Sequence, residues 1–378
     1  MKKNYSVVIF GSLLGCAVAG FFGAYFYRQY FFHPESFCYC SQIQAKSDTV
    51  IPELVRLKKF LGIKEDIQMY AVYEKVKDDL VGIYKKKEAA QNSIEGVYSE
   101  SDYLGGGFIL TSDGWIVTSA DFPRTIKKEA LAVVYGLETY GVQSMVSDMY
   151  SGTTFMKIDA HNLPPAKLGS NGENNIGQNV LAISAIAGAI PTNIQYMNWR
   201  PSQDPSQFIE STEKLSEFTL IKDDINKFFD GGVIVSWDGE IVGVLQSQKD
   251  SKSISMAVSI DALRQSIDSI LKNGKTERPF FGIRYVDLSR SAGLKNQRIP
   301  NMEKGIVVWD PPRGTTPAGM AGLRQWDVIT QIDGSDISKK KSFGSIIQEY
   351  SVGSKVTLTV IRDGKEIKID IKLGLLQQ

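Results

Sequence analysis

Histidine is nearly absent from this chain: its 378 residues carry two, His33 and His161. A serine nucleophile normally needs a neighbouring imidazole to take its proton, so the scarcity narrows every reading that relies on such a relay. Cysteine is as thin. The three cysteines, Cys16, Cys38 and Cys40, all precede residue 41. The rest of the chain therefore folds without disulfides or a cysteine-ligated metal. The one-residue spacing of Cys38 and Cys40 suits an intrachain disulfide poorly; a palmitoylated or intermolecular cysteine and an inert surface pair both stay open. Net charge is +1, and no Lys/Arg stripe stands out. That excludes a strong field steering the chain to nucleic acid. No internal repeat or low-complexity tract is present, and no cofactor is expected.

What the sequence does have is one long apolar run. Residues Tyr5 to Tyr27 carry no charge. About 20 such residues cross a bilayer as a helix. Lys2 and Lys3 precede the run and Arg28 follows it, so the amino-terminal side is expected in the cytoplasm and the remainder outside it. The expected layout is a cytoplasmic tail over 1–5, a single-pass transmembrane anchor over 6–27 and a stalk over 28–69. Two other readings compete. Leu13-Leu14-Gly15-Cys16 resembles a lipidation box, but the apolar run continues well past Cys16. A cleaved signal peptide lacks a small-x-small site at the end of the run. Within the stalk, Thr49 to Gly62 has a helix outline, with Pro52 in the first turn and Leu54, Leu57 and Leu61 on one face.

From about residue 70 to 274 the pattern becomes short runs rich in Val, Ile and Thr. Examples are Gly107–Thr111, Trp115–Thr118, Val180–Ile183, Val233–Ser236 and Ile241–Leu245. Asp113-Gly114 and Asp238-Gly239 lie between such runs and read as hairpin turns. This is the signature of an all-β barrel or sandwich. Ile260–Leu271 reads as an amphipathic helix with Leu263, Ile267, Ile270 and Leu271 on one side. Asn273 to Thr276 reads as a linker. A second unit, 278–374, has strands at Gly305–Val308, Asp327–Thr330 and Lys355–Val360, and a hairpin at Arg362-Asp363-Gly364-Lys365 leading into Ile367–Ile371. Ser342–Tyr350 is a short-helix candidate.

Several colinear motifs then resemble one family. Gly105-Gly-Gly-Phe-Ile-Leu-Thr-Ser-Asp-Gly-Trp-Ile-Val-Thr118 is similar to the opening of the HtrA protease barrel. Ala166-Lys167-Leu168-Gly169-Ser170 resembles the stretch after that family's catalytic aspartate. Gly231-Gly232 and Trp237–Gly243 resemble the stretch after its serine. Arg278-Pro279-Phe280-Phe281-Gly282-Ile283, Ala321-Gly322-Leu323, Asp327-Val328-Ile329 and Arg362-Asp363-Gly364 resemble its PDZ domain. The resemblance covers about residues 70–374. It implies a mainly β chain: a chymotrypsin-like double β-barrel over 70–274, then a PDZ domain over 278–374.

The family's three catalytic positions hold other residues here. Thr118-Ser119-Ala120-Asp121 puts aspartate at the histidine. The run from Asp148 to Gly152 puts glycine at the aspartate. Phe228-Phe229-Asp230-Gly231-Gly232 puts Asp230 at the serine, with phenylalanines where the family has glycine and asparagine. Bulky residues there hinder the backbone geometry of an oxyanion hole. His161, in a loop after Ile158-Asp159, reads as a solvated residue. The expectation is a chain that is not an enzyme. Asp121 and Asp230 as close neighbours, sharing a proton or binding a cation, form the minor alternative.

For the PDZ domain the resemblance implies capture of protein or peptide carboxy termini as an added strand. Phe280, Phe281, Gly282 and Ile283 would form the carboxylate loop, and Ile346 and Ile347 would face the groove. A PDZ fold that only packs on the barrel is the alternative. Trp326, in place of the usual glycine before Asp327, departs from the pattern, as does the extra residue in Gly314–Ala318. The expected function is thus a membrane-anchored, non-proteolytic scaffold, adaptor or regulator of proteolysis in protein quality control. It is expected to be a homotrimer or a mixed oligomer with related proteases. An active HtrA-type serine endopeptidase and a holdase chaperone are the rivals.

Overall fold

The computed structural model describes residues 64–87, 94–119, 126–170, 176–200, 204–246, 253–294, 302, 304–337 and 341–377. The apolar run, the stalk helix and all three cysteines lie outside these residues, as does Asp121. Among the described residues no helix is long and apolar enough to cross a membrane.

After helix α1 (Lys64–Val76), six strands close a first antiparallel barrel: β1 (Leu80–Lys85), β2 (Tyr103–Ile109), β3 (Trp115–Ser119), β4 (Leu131–Tyr135), β5 (Glu138–Asp148) and β6 (Thr153–Ile158), in the order β1-β2-β3-β6-β5-β4. The turn between β2 and β3 is the expected one, with Gly114 at φ 102°. The second part of the chain adds β7 (Asn179–Ser184), β8 (Gly188–Trp199), β9 (Ile209–Ser211), β10 (Phe218–Asn226), β11 (Val233–Val235), β12 (Ile241–Gln246) and β13 (Ser253–Ser259). All of these except β9 close a second barrel in the order β10-β13-β12-β11-β7-β8. Each barrel is filled from within, the first by Val81, Ile83, Ile109, Ile116 and Met156 and the second by Val180, Ile221, Ile234 and Leu245. A third cluster joins Phe108, Val117 and Phe155 of the first barrel to Leu181, Val233 and Val244 of the second. It holds the two barrels together by apolar burial.

Helix α2 (Ile260–Asn273) completes that cluster with Leu263, Ile267 and Ile270. The Ser259 hydroxyl accepts from the Ala262 amide at its start, and Gly274 ends it at φ 65°, the left-handed cap that glycine adopts without strain. Leu271 departs from expectation. It is half exposed, because the residue after Ile270 falls about 100° round the helix from the buried stripe.

The remaining elements are β14 (Pro279–Phe280), β15 (Arg284–Asp287), β16 (Ile306–Val308), helix α3 (Pro317–Met320), β17 (Val328–Ile332), β18 (Ser335–Asp336), helix α4 (Phe343–Ile347), β19 (Lys355–Arg362), β20 (Lys365–Lys372) and β21 (Gly374–Leu375). The main sheet runs β20-β19-β17-β16-β15-β9, with β18 beside β17. Asp363 (φ 50°) and Gly364 (φ 76°) make the β19–β20 turn, where two positive φ values suit the right-handed twist of the strands. Trp326 takes φ 74°, a conformation that favours glycine, and its ring packs edge-on against Trp309 at 5.3 Å. Asp327, next to it, is buried and held by Arg362, whose Nε and Nη2 donate at 2.7 and 2.6 Å.

The stretch read as a linker, 273–276, and the residue that opens the second unit are tied to the barrel side. Thr276 and Arg278 are both buried. Arg278 donates to both Asp148 oxygens (2.6 and 3.3 Å) and to the Ala262 carbonyl (2.8 Å), and its guanidinium lies over the Tyr150 ring. Burial alone would push the Asp148 carboxyl up. The charge and hydrogen bonds of Arg278, with the hydroxyls of Ser151 and Ser266, outweigh it and hold the carboxyl below its ordinary value.

Candidate functional site

The segment between β10 and β11 carries the barrel's candidate cleft. The Asn226 side chain accepts from the Phe228 amide (3.0 Å), and the Asp230 amide donates to the Lys227 carbonyl (3.1 Å). The Gly232 amide closes on the Phe229 carbonyl at 2.8 Å. On the outside, Ser184 and Tyr103 donate their hydroxyls to the Phe228 carbonyl at 2.6 and 3.2 Å. Phe229 is buried in the second barrel, which fixes this turn from within. Gly231 sits at φ 73°, and a Cβ there would run into the Gly106 carbonyl, so only glycine fits. The Gly106 amide in turn donates to the Asp230 carbonyl at 2.7 Å.

Asp230 is buried at 8% exposure. Gly152 lies in the turn after β5 at φ 74°, its amide donating to the Asp148 carbonyl at 2.9 Å. Asp121 is outside the described residues, so the pair it would form with Asp230 has no description. His161 is exposed, with Asp159 its neighbour at 4.0 Å.

The second candidate site is the groove between β15 and α4. Its loop is Phe280 to Ile283. Phe280 pairs with Gly374, whereas Phe281 and Ile283 are buried in the core with Phe343 and Ile347, and Ile346 packs partly against that core. Gly282 sits at φ 90°, where a Cβ would run into Thr316. Ile347 and Phe281 thus form the floor of the groove rather than its open walls.

The groove is filled by the chain itself. Strand β9 lies antiparallel along β15, with Ser211 opposite Arg284, Glu210 opposite Tyr285 and Ile209 opposite Val286. The fully buried Thr212 follows, its amide donating to the Ile283 carbonyl (3.3 Å) and its hydroxyl accepting from the Ile283 amide (3.3 Å). The Gly282 amide donates to the Glu213 carboxylate at 2.8 Å and the Phe281 amide at 3.4 Å. The carboxylate also accepts from the hydroxyls of Ser211 and Thr212. From α4, the Gln348 side chain donates to the Thr212 carbonyl at 3.3 Å.

Glu210 is buried among cations and hydroxyls. It accepts from Tyr285 (2.9 Å), Arg290 (2.8 Å), Arg200 (3.2 Å) and Ser216 (2.9 Å). Arg200 also donates to Asp287 at 3.0 Å. Burial lowers the Arg200 guanidinium, but Glu210, Glu217 and Asp287 outweigh it and raise it. Arg290 is held below its ordinary value by burial and by the charge of Arg200. Glu217 accepts from the Ser342 amide (2.7 Å) and the Ser345 hydroxyl (2.6 Å) at the start of α4. The Leu215 amide donates to the Tyr150 carbonyl at 2.8 Å, which joins this segment to the turn that carries Gly152.

None of Arg200, Glu210, Glu213, Glu217 or Arg290 stands out in the sequence as a site residue. The partners that tie them to the groove lie far off in sequence, as with Glu213 and Gly282 at 69 apart and Glu210 and Tyr285 at 75. The one local signal is the spacing of three glutamates, 210, 213 and 217, beside a two-residue strand pattern.

Two six-stranded antiparallel barrels followed by a smaller sheet capped by short helices define the class of trypsin-like domains joined to a PDZ domain. Residues 279–373 match the PDZ domain family. A probable periplasmic serine endoprotease, DegP-like, of Halomonas elongata is 26% identical over 289 residues, which are 74% of this chain and 58% of that protein. The serine protease Do-like HtrB of Bacillus subtilis is 24% identical over 244 residues, 61% of this chain and 53% of that protein. The chain thus spans little more than half the length of these relatives. Among solved structures, the HtrA-type protease AlgW with a decapeptide superposes with a TM-score of 0.61 at 21% identity, over 81% of this chain and 98% of that one. Together these make the chain similar to HtrA-type proteases, with the fold of a trypsin-like domain followed by a PDZ domain.

One expectation is corrected here. The replacements at positions 121, 152 and 230 pointed away from an enzyme, whereas the relatives are named serine endoproteases and point to a protease. The three positions were placed by motif alone, and one of them, 121, lies outside the described residues. A catalytic set is defined by geometry and roles, not by sequence position.

Proposed function

We propose that the chain is an HtrA-type protein that binds protein or peptide carboxy termini through its PDZ domain and so acts as an adaptor or regulator of proteolysis. The observation that carries this reading is the convergence of the Phe281 and Gly282 amides on a carboxylate, beside a strand added antiparallel to β15. That is how a PDZ groove holds an extended chain and its terminal charge. Phe280, Phe281, Gly282 and Ile283 form the carboxylate loop in this reading, with Ile347 in the floor and Ile346 at the side. The HtrA-type protease AlgW is known with a decapeptide, which supports peptide binding by a chain of this fold.

The reading extends to a membrane anchor over 6–27, with the folded domains outside the cytoplasm. The charge asymmetry around the apolar run supports this, and the DegP-like relatives carry "periplasmic" in their names. A homotrimer or mixed oligomer with related proteases belongs to the same proposal.

The test is fluorescence anisotropy of labelled peptides with the full chain, each peptide made with a free and an amidated carboxy terminus. Amidation should weaken binding about tenfold or more, because the loop amides lose their anion. Equal binding of both forms, or none by any free-carboxylate peptide at about 1 mM, refutes the reading.

The names of the relatives favour a second reading, an HtrA-type serine endopeptidase. Cleavage of unfolded casein that survives repurification would support it. If that cleavage is lost on replacing Asp121 and Asp230 by alanine, those carboxylates carry it.

A further inference from the structure

We propose that residues 209–213 are a built-in ligand of the groove, and that its external ligands are carboxy-terminal peptides with a carboxylate two residues before a small terminal residue. This rests on the peptide-binding reading above and specifies its ligand and its resting state.

Each part of the segment stands where a bound peptide would have an equivalent. Thr212 takes the place of the terminal residue: it is fully buried, and its amide donates to the Ile283 carbonyl. A chain that ended there would put its terminal carboxylate at the loop amides. The segment does not end, so the Glu213 side chain supplies that carboxylate to Gly282 and Phe281. Ser211 and Glu210 run back along β15 as the two preceding residues would. The close approach of Gly344 to the Ser211 carbonyl leaves no room for a second strand beside this one. Peptide and segment are therefore mutually exclusive.

The ligand chemistry follows from what the groove keeps when the segment leaves. Tyr285 and Arg290 belong to the PDZ side, and both donate to Glu210. Arg200 and Ser216 belong to the barrel side. Once Glu210 departs, Arg290 and the Tyr285 hydroxyl lose a buried acceptor, and a donor left unpaired there is costly. An incoming carboxylate at the same position restores it. Thr212 fills the terminal place with no exposure, so a residue of its size, threonine or valine, fits there.

A tethered ligand competes at an effective concentration in the millimolar range. Apparent affinity for an external peptide then equals the intrinsic affinity times the fraction of open grooves. Removing the Glu213 carboxylate takes away the acceptor of both loop amides, the shorter bond being that from Gly282, and only the closed form makes these bonds. Glu213→Ala should therefore tighten peptide binding by about tenfold.

The experiment uses the full chain and a fluorescein-labelled peptide ending in Ile-Glu-Ser-Thr with a free carboxylate, beside one ending in Ile-Gln-Ser-Thr. Expected are tighter binding by Glu213→Ala than by the natural chain, and weaker binding of the glutamine peptide to both. Equal affinity of the two proteins overturns the built-in ligand and leaves peptide binding standing. Equal affinity of the two peptides overturns the assigned ligand chemistry. If no free-carboxylate peptide binds either protein, the peptide-binding reading falls and this one with it. Hydrogen exchange on the natural chain decides independently of the variant's folding: peptide binding should deprotect the amides of 209–212, and unchanged protection under a bound peptide overturns the proposal.

Discussion

Replacing Arg278 by alanine removes the cation that neutralises a carboxylate with no exposure to water. Asp148 would keep the hydroxyls of Ser151 and Ser266, at 2.7 and 2.8 Å, and lose both bonds from the guanidinium. Breaking a buried pair by removing one partner costs about 3–5 kcal/mol, and the lost contact with the Tyr150 ring places this site in the upper part of that range. For a domain of this size the unfolding midpoint should drop by roughly 8–15 °C. The pH dependence makes the argument specific. In the natural chain the Asp148 carboxyl lies below its ordinary value, so the pair contributes fully above the unfolded value near about 3.9 and is lost as pH falls through the lowered one. In the variant only the hydroxyls of Ser151 and Ser266 still oppose burial, the largest influence, and the carboxyl rises. Its penalty is present above that raised value and eases as pH falls through it. The stability gap should therefore be widest at neutral pH and narrow by about pH 4. Urea unfolding followed by tryptophan fluorescence at both pH values measures it. A gap below about 1 kcal/mol at pH 7, or one that is equal at both values, refutes the reasoning.

Two further changes test other parts of the molecule. Gly282→Ala forces a Cβ at φ 90° into Thr316 and should cost about 2 kcal/mol while weakening peptide binding; a thermal scan that shifts by less than the equivalent of about 0.5 kcal/mol would contradict the geometry. Asp79 is pushed up to about 6 by burial and then by Asp78. An acid whose folded value exceeds its unfolded value holds more protons when folded, so stability falls as pH rises from about 4 to 6. Asp79→Asn should stabilise the chain by about 1 kcal/mol at pH 7, discounted for partial exposure, and by nothing at pH 4; a gain at both values would point to another cause.

What could be read from the sequence was local. Asp113-Gly114 and Asp363-Gly364 announced their turns because positive φ is needed within two residues of each strand end. The apolar stripe of Leu263, Ile267 and Ile270 marked α2, which the structure caps with Ser259 and Gly274. Ser342 caps α4 in the same way, accepting from the Ser345 amide. The double barrel was read through the order of motifs rather than from strand propensity. The misses were non-local. Thr276 reads as part of a linker and Arg278 as the entry to the second unit; the burial of Arg278 was missed because its partner Asp148 lies 130 residues earlier. Glu210 and Glu213 drew no reading from the sequence, since no periodicity reports a partner strand some 70 residues on. Trp326 was marked as a departure from glycine; the positive φ is kept all the same, with the ring packed against Trp309.

Strand β9 lies in the connection between β8 and β10 of the second barrel, yet it completes the sheet of the PDZ domain. The apparent gap at residues 274–278 is therefore no boundary for dissection. A fragment that began there would leave β15 as a bare edge, its amides and carbonyls over 284–287 open to the same strand of another copy. Expressed alone, that module would be prone to pair with itself, and its free groove would be filled by its neighbours. The domain border in this chain runs through space between β9 and the barrel that supplies it, and a cut at one point in the sequence does not follow it.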